Sequence, residues 1–461
     1  MSTESGISPD FSSVQVRALL QADTSRDVVA TLRARIAGVP LFERHLLAFR
    51  QAGIRHVIVK VPSAILTDVQ RLAQQYSPRD IDVRVEPADN GVSAIATPEI
   101  EQSLDTLVDP RLVTQLVRLA QSQSGLFVCA DAPGGEDVEA KSPYRVGVPE
   151  DDEASIVETS AAVDLVPIGL ALRVPIREAP GAASVSTRLA VGRYYWHRLR
   201  HARDARLATW KVLLATMKAT DGVYARTNRR VSLRISRLLV GTAVTPNEVT
   251  IATLGLGVVA GWLLAQGHYA PVVAGSVLAW VASMLDGVDG ELARAKFQAS
   301  PFGHWLEMVC DYAFYIVLVV GLGEGFRRLT GQRLWLLMGL ATAVGVVFGF
   351  WAVSRLKRGY SPQGDAANFY RAYQHSIEAP TASWWMRLTP HLTVFATRAA
   401  FPYYFVLFAV LGLAKFVLVM FFVGTYAFSF GALLVSRTTL ANGARVIDQS
   451  RSSIPPSAGL D

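Results

Sequence analysis

Four carboxylates fall within one short window of the chain. Asp286 and Asp289 are three residues apart, and Glu307 and Asp311 are four apart, so each pair shares one face of a helix. Between the pairs come Gly290, Ala293 and Arg294, then eight residues, then Gly303. Two antiparallel helices joined by that loop would bring both pairs together. Four like charges beside a bilayer repel one another, and a divalent cation relieves the repulsion. Hard oxygen ligands favour Mg2+, Mn2+ or Ca2+ over zinc. Four carboxylates suffice for two metals about 4 Å apart, a clamp suited to in-line phosphoryl transfer. Gly290 and Gly303 remove side chains where a nucleotide would come close, and Arg294 can meet a phosphate oxygen. A helix end with solvated acids would explain any one Asp, but not this ordered set.

The elements that must position these acids are apolar. The chain has 461 residues, 51% hydrophobic and 18% charged, whereas soluble domains carry about 25% charged residues. Residues 249–265, 269–285, 305–322 (interrupted by Glu307 and Asp311) and 334–353 are each long enough to cross a bilayer, which takes roughly 20 residues. Residues 401–435 are about twice that length, broken only by Lys415, and are divided in two. The pattern predicts six transmembrane helices. Buried helices of a soluble protein fit less well, because so many near-uncharged stretches of spanning length follow one another. In the first span Gly257 and Gly261 form a GxxxG, which permits close helix packing.

Twelve Lys or Arg lie between Arg193 and Arg237, opposed only by Asp204 and Asp221. This places that segment on the cytoplasmic side. The loop holding Arg294 and Lys296 and the long loop from Arg355 to Arg398 agree, whereas Arg327, Arg328 and Arg333 break the rule. The expected topology is multi-pass in the cell membrane, with the N-terminal domain and the site cytoplasmic and both ends inside.

Residues 1–200 read as soluble. Residues 1–13 are polar and expected to be mobile, without the basic start and apolar core of a signal peptide. From residue 14 to 200, short apolar runs alternate with amphipathic stretches. Strands are expected at 14–20, 56–61, 83–85 and 126–130, and helices at 41–52 (stopped by Gly53), 66–76 and 112–120. Such alternation argues an α/β domain with a parallel, doubly wound sheet. Residues 201–245 form a basic juxtamembrane helical segment, 246–440 an all-α membrane domain, and 441–461 a disordered tail. The formal charge of +7 suits anionic lipid or a phosphorylated substrate, and the apolar spans turn the choice away from nucleic acid. With only Cys129 and Cys310, a disulfide scaffold and a cysteine zinc ribbon are excluded. No P-loop, Gly-x-Ser-x-Gly elbow or His-Glu-x2-His is present.

The string DGVDGELARAKFQASPFGHWLEMVCD, residues 286–311, resembles the signature of the CDP-alcohol phosphotransferase family, Asp-x2-Asp-Gly-x2-Ala-Arg-x8or9-Gly-x3-Asp-x3-Asp. Asp286, Asp289, Gly290, Ala293, Arg294, Gly303 and Asp311 match. Glu307 departs, since the family has Asp there. It keeps the charge and adds one methylene, which alters the spacing toward a metal. The resemblance covers residues 218–435. It implies six transmembrane helices, usually in a homodimer, embedded in membrane lipid. It also implies Asp286, Asp289 and Glu307 as ligands of Mg2+ or Mn2+, with Asp311 completing the second metal's shell and acting as general base. The donor would be a CDP-alcohol of the CDP-diacylglycerol or CDP-inositol type. The acceptor would be an alcohol or phosphorylated alcohol, and CMP the product, in phospholipid biosynthesis.

Upstream, KATDGVYARTNRRVSLRISRLLVGTAVTPNEVT, residues 218–250, resembles the juxtamembrane helix and Thr-Pro-Asn entry of the same family. The match is closest to members that fuse a nucleotidyltransferase-like domain to the membrane enzyme, one type of which makes CDP-inositol. By that resemblance Asn228, Arg229 and Arg230 contact substrate phosphate. A cationic helix on anionic lipid is the other explanation of the arginines. Arg398, at the mouth of span five, is a further phosphate candidate that can equally snorkel. Residues 38–59 resemble a segment of sugar-nucleotide transferases, and residues 126–131 resemble their metal-binding strand end at Asp131, with Asp164 as a candidate second ligand; ordinary strand-end and turn roles for Asp131 and Asp164 are the favoured reading. The Gly-rich phosphate loop is missing: Gln21 to Arg26 contain no glycine, and Val39 replaces a Lys. The domain is therefore read as degenerate, docking a partner or stabilising a dimer. An active N-terminal cytidylyltransferase, an inactive membrane scaffold and an ion-coupled transporter are the competing readings.

Overall fold

The structure, a computed structural model, describes residues 17–21, 28–88, 98–122, 125–131, 157–158, 166–174, 186–190, 194–217, 223–360, 400–427 and 429–430. The expected mobile start, the tail, Asp164 and most of the loop between the fourth and fifth apolar stretches lie outside these residues. The chain divides into two compact units. One comprises Met1–Thr220 with Ser236–Ala243 and Arg294–Gln298, and the other Asp221–Ile235, Val244–Ala293 and Ala299–Asp461.

The first unit is α/β. Its strands are β1 (Arg17–Gln21), β2 (Arg35–Ile36), β3 (Val39–Pro40), β4 (His56–Val61), β5 (Asp82–Pro87), β6 (Glu99–Ser103), β7 (Thr106–Val108), β8 (Gly125–Asp131), β9 (Val157–Glu158), β10 (Val166–Val174), β11 (Ser186–Ala190) and β12 (Trp196–Arg198). Helices α1 (Val28–Arg33), α2 (Leu41–Gln51), α3 (Leu66–Tyr76), α4 (Pro110–Ser122) and α5 (Ala205–Leu214) accompany them. Period-2 burial of Val57, Val59 and Val61 and helical spacing of Phe42, Leu46 and Phe49 build one core. Helix α2 ends where the chain turns through Gly53 at φ +84°, a conformation glycine adopts without a Cβ penalty.

An eight-stranded sheet runs β5-β4-β1-β6-β10-β8-β11-β9. β5, β4, β1 and β6 are mutually parallel, as expected. The rest departs from a wholly parallel sheet: β10 runs antiparallel between β6 and β8, and β9 is antiparallel to β11. The physical reason lies in the connections. Parallel neighbours need a crossover, usually a helix, whereas antiparallel ones do not. The chain enters β10 running against both β6 and β8, and it then returns in β11 parallel to β8.

The second unit is helical. Helix α6 (Val223–Leu239) precedes α7 (Pro246–Leu264), α8 (Tyr269–Ala295), α9 (Pro301–Thr330) and α10 (Leu334–Tyr360). Thr245 caps α7 in a reciprocal capping box with Glu248, with Pro246 at the first position. Ser300 caps α9, and Gly331, at φ +72°, ends it. Among the described residues four helices are long and apolar enough to cross a membrane: α7, α8, α9 and Leu334–Ala352 of α10. The expected division of the last apolar run takes the form of two shorter helices, α11 (Phe401–Val410) and α12 (Ala414–Ala427), separated at Gly412 with φ +71°. The GxxxG of α7 works as a packing device. A Cβ on Gly261 would stand 2.4 Å from the Val317 side chain, and one on Gly321 of α9 would stand 2.3 Å from the Gly261 carbonyl oxygen. Backbone thus meets backbone where α7 and α9 cross.

Candidate active site

Helix α8 carries Asp286 and Asp289 near its C-terminal end, and the first three turns of α9 carry Gly303, Glu307 and Asp311. The loop between them reverses the chain, and the Ser300 cap and Pro301 start α9 at a defined residue. Asp286 and Asp311, the first and last acids of the set, line one cavity between α7, α8 and α9. Thr250, Thr253 and Ser283 line it as well, together with Leu254, Phe314 and Tyr315.

Asp289 is buried, with 4% exposure. Its Oδ2 accepts a hydrogen bond from the Thr250 hydroxyl at 2.5 Å, and its Oδ1 accepts from the Gly290 amide at 2.6 Å. Glu307 and Asp311 both interact electrostatically with Asp289, so residues from the two helices share one field. The Glu307 side chain is 43% exposed, with Oε2 3.9 Å from His304 Nδ1. Arg294 is exposed on the last turn of α8, and Ala293 is half-buried. Gly303 donates its amide to Ser300 Oγ at 3.0 Å. A Cβ there would stand 3.1 Å from Asn247 Oδ1, so this glycine also lets the start of α9 approach the start of α7.

Asn228 is buried and its Oδ1 accepts from the Tyr403 hydroxyl at 2.7 Å. Arg229 is engaged within the protein: its Nη1 donates to Glu291 Oε1 at 2.8 Å and to the Gly287 carbonyl at 3.1 Å. Arg230 is exposed. Asp131 ends β8, in register with Val166 of β10. Arg398 lies outside the described residues.

Among the described residues, no group of three or more His, Cys, Asp or Glu side chains is gathered closely enough to hold a metal ion. The hydrogen bonds on Asp289 explain part of this, since both its oxygens are turned to Thr250 and Gly290. The donor set fits a hard divalent cation: two acids line one cavity, a third feels the fourth and its neighbour, and every donor is oxygen.

Two residues that bear on the site were not singled out from the sequence. Thr250 is one: a hydroxyl inside an apolar span carries no signal of which acid it serves. Glu291 is the other. It is fully buried, paired with Arg229 and receiving the Ser232 hydroxyl at 2.6 Å. Its signal was available, because an acid at the end of an apolar span close to a run of arginines needs a partner.

The family model described as CDP-alcohol phosphatidyltransferase matches residues 243–457. The chain is 36% identical over 138 residues to a protein of Aquifex aeolicus named bifunctional IPC transferase and DIPP synthase, covering 29% of this chain and 31% of that one. This match therefore spans about a third of the relative's length. A protein of the same name from Rubrobacter xylanophilus is 28% identical over 342 residues, covering 68% of this chain and 76% of that one. The solved structure of the inositol-1-phosphate CTP transferase from T. maritima aligns with 42% of this chain and 95% of that one, at 10% identity and a TM-score of 0.28. Within the matched segment lie α7 to α12 and all four acids of the window.

Proposed function

We propose that the protein is an integral-membrane transferase that moves a phosphoalcohol group from a CDP-alcohol to an acceptor hydroxyl and releases CMP, in phospholipid biosynthesis. The observation that carries this is the cavity shared by Asp286 and Asp311, at the opposite ends of the signature. Asp311 takes the proton of the acceptor hydroxyl, the oxygen attacks the β-phosphorus, the bond from that phosphorus to the bridging oxygen breaks, and CMP leaves. Asp286, Asp289, Glu307 and Asp311 would hold Mg2+ or Mn2+ as a two-metal site. Bound there, the ions would neutralise the diphosphate charge and favour departure of CMP. Thr250 orients Asp289, and the apolar wall of Phe314 and Tyr315 excludes water from the reacting end. Arg294, Arg230 and Arg398 are offered to phosphate oxygens, Gly290 and Gly303 leave room for the nucleotide, and Asn228 orders α6 beside it.

The names of the Aquifex and Rubrobacter relatives favour CDP-inositol as donor and an inositol phosphate as acceptor, with CDP-diacylglycerol as the other donor class. The finer architecture proposed with this reading has six spans, two of them containing α11 and α12. It forms a homodimer with the N-terminal unit and the site on the cytoplasmic side. The test is CMP release by purified protein given CDP-inositol or CDP-diacylglycerol, Mn2+ and a panel of acceptors. No CMP from any pair would turn the reading to a membrane scaffold.

A second reading follows from the Rubrobacter match, which extends over 68% of this chain: the N-terminal unit makes the CDP-alcohol from CTP. Turnover of CTP with an alcohol phosphate by the whole protein tests it. The absence of glycine from Gln21 to Arg26 and the Val39 substitution weigh toward no turnover.

A further inference from the structure

We propose that Glu291 is a positioning residue of the transferase site, latching the back of α8 to α6 so that Asp286 and Asp289 project into the cavity. The inference rests on the function proposed above. A helix turns about 100° per residue, so Glu291 lies about 200° around α8 from Asp289, while Gly287, four residues earlier, lies on Glu291's own face. Arg229 of α6 touches both members of that face, donating to the Glu291 carboxylate and the Gly287 carbonyl. Ser232, one turn further along α6, donates to the same carboxylate oxygen. A Cβ on Gly287 would stand 2.9 Å from Arg229 Nη1 and 3.3 Å from Ser232 Oγ, so a side chain there would push the two donors off the Glu291 carboxylate. The two faces of α8 thus divide the work: one carries the acids of the signature, and the other is clasped.

A clasp made of a buried charge pair is a poor way to add stability, since an apolar pair of similar volume is often as stable. What directional hydrogen bonds add is a fixed rotation of α8 about its axis. On this account Arg229 is spent on geometry rather than on substrate phosphate.

The test uses the full chain in lipid nanodiscs, with CMP release measured against donor and acceptor concentration and thermal stability measured in parallel. Glu291→Leu lowers kcat about 10- to 100-fold, the cost expected of a misplacement near 1 Å, with each KM within about threefold of wild type. Glu291→Gln keeps an oxygen that accepts from Arg229 and Ser232, and recovers most of kcat. The double variant Arg229→Met with Glu291→Leu removes both charges, and it recovers thermal stability while kcat stays low. If the double variant recovers kcat together with stability, the pair is only structural and the proposal fails. An Arg229→Met chain with a raised KM for one substrate, beside unchanged kinetics in Glu291→Leu, would instead make Arg229 a substrate contact. Spin labels at Thr227→Cys and Val281→Cys, both exposed, read the α6–α8 distance without any turnover. Glu291→Leu shifts or broadens that distance, and an unchanged distribution overturns the latch. A wild-type chain that releases no CMP overturns the transferase reading, while the spin-label distance still tests the clasp.

Discussion

Replacing Gly321 by alanine sets two effects of known size against each other. Alanine is favoured over glycine in a helix interior by about 1 kcal/mol. Its Cβ, however, would stand 2.3 Å from the Gly261 carbonyl oxygen and 3.0 Å from the Gly261 carbonyl carbon. Both are backbone atoms, so no rotamer change relieves the clash. The α7–α9 crossing must open by about 1 Å to reach ordinary contact, and overpacking of this kind costs about 1–3 kcal/mol. The net expectation is a loss of about 0–2 kcal/mol. The functional cost is the sharper readout. Asp311 lies ten residues before Gly321 on the same helix, about 15 Å along its axis, and Phe314, whose ring lies against Gly257, lies between them. A shift of α9 near 1 Å carries Asp311 and Glu307 away from Asp286 and Asp289 and costs about 100-fold in turnover. Gly255→Ala is the control, because nothing lies within 4 Å of its added Cβ. It gains the propensity term alone, leaving stability unchanged or higher by up to about 1 kcal/mol, with activity kept. CMP release and detergent thermal denaturation of the two variants decide the matter. A Gly321→Ala chain as active as the Gly255→Ala chain would refute the claim that this crossing sets the position of the acids.

Asp311→Asn is expected to abolish CMP release while retaining binding of the CDP-alcohol, read by isothermal titration; a variant that still turns over would remove the residue from the role of base. Glu307→Asp restores the family spacing and is expected to leave kcat equal or higher, whereas a large loss would mean that the site is built around the longer side chain. His45 is buried, accepting from the Gln102 amide nitrogen at 2.8 Å and facing the Leu104 carbonyl at 3.1 Å, and burial pushes its pKa down from 6.5 to about 4. The unfolded chain therefore takes up the proton first, so the N-terminal unit keeps its full stability above about pH 6.5 and loses about 3 kcal/mol as pH falls to about 4. Calorimetry of wild type against His45→Phe should show this slope in the wild type and less of it in the variant, and equal slopes would refute it.

What the sequence disclosed and what it withheld divide along a physical line. Interactions repeated within one element were legible. The alternation at His56–Val61, the helical spacing of Leu41–Gln51 and the stop at Gly53 are local, and the structure places those elements within a residue of expectation. The acids were legible for a related reason: a charge in an apolar span is costly, so its presence marks a site before any partner is known. Pairings between distant elements were not legible. Whether β10 runs with or against β6 depends on where the chain returns, not on the residues of either strand. Nothing in the spacing of Thr250 assigns it to Asp289 rather than to another acid.

The last apolar run shows the limit most clearly. Residues 401–435 offer one charge, Lys415, and a division there has no stronger warrant than one elsewhere. The chain breaks three residues earlier, at Gly412, because that residue takes a positive φ, which a hydropathy profile does not register. Glu291 marks the opposite case. Its charge is as visible as that of Asp289, yet the family pattern leaves its position open, and a pattern of shared residues passes over an acid whose partner, Arg229, lies in a different helix. Cost of burial, applied to each charge in turn, finds both.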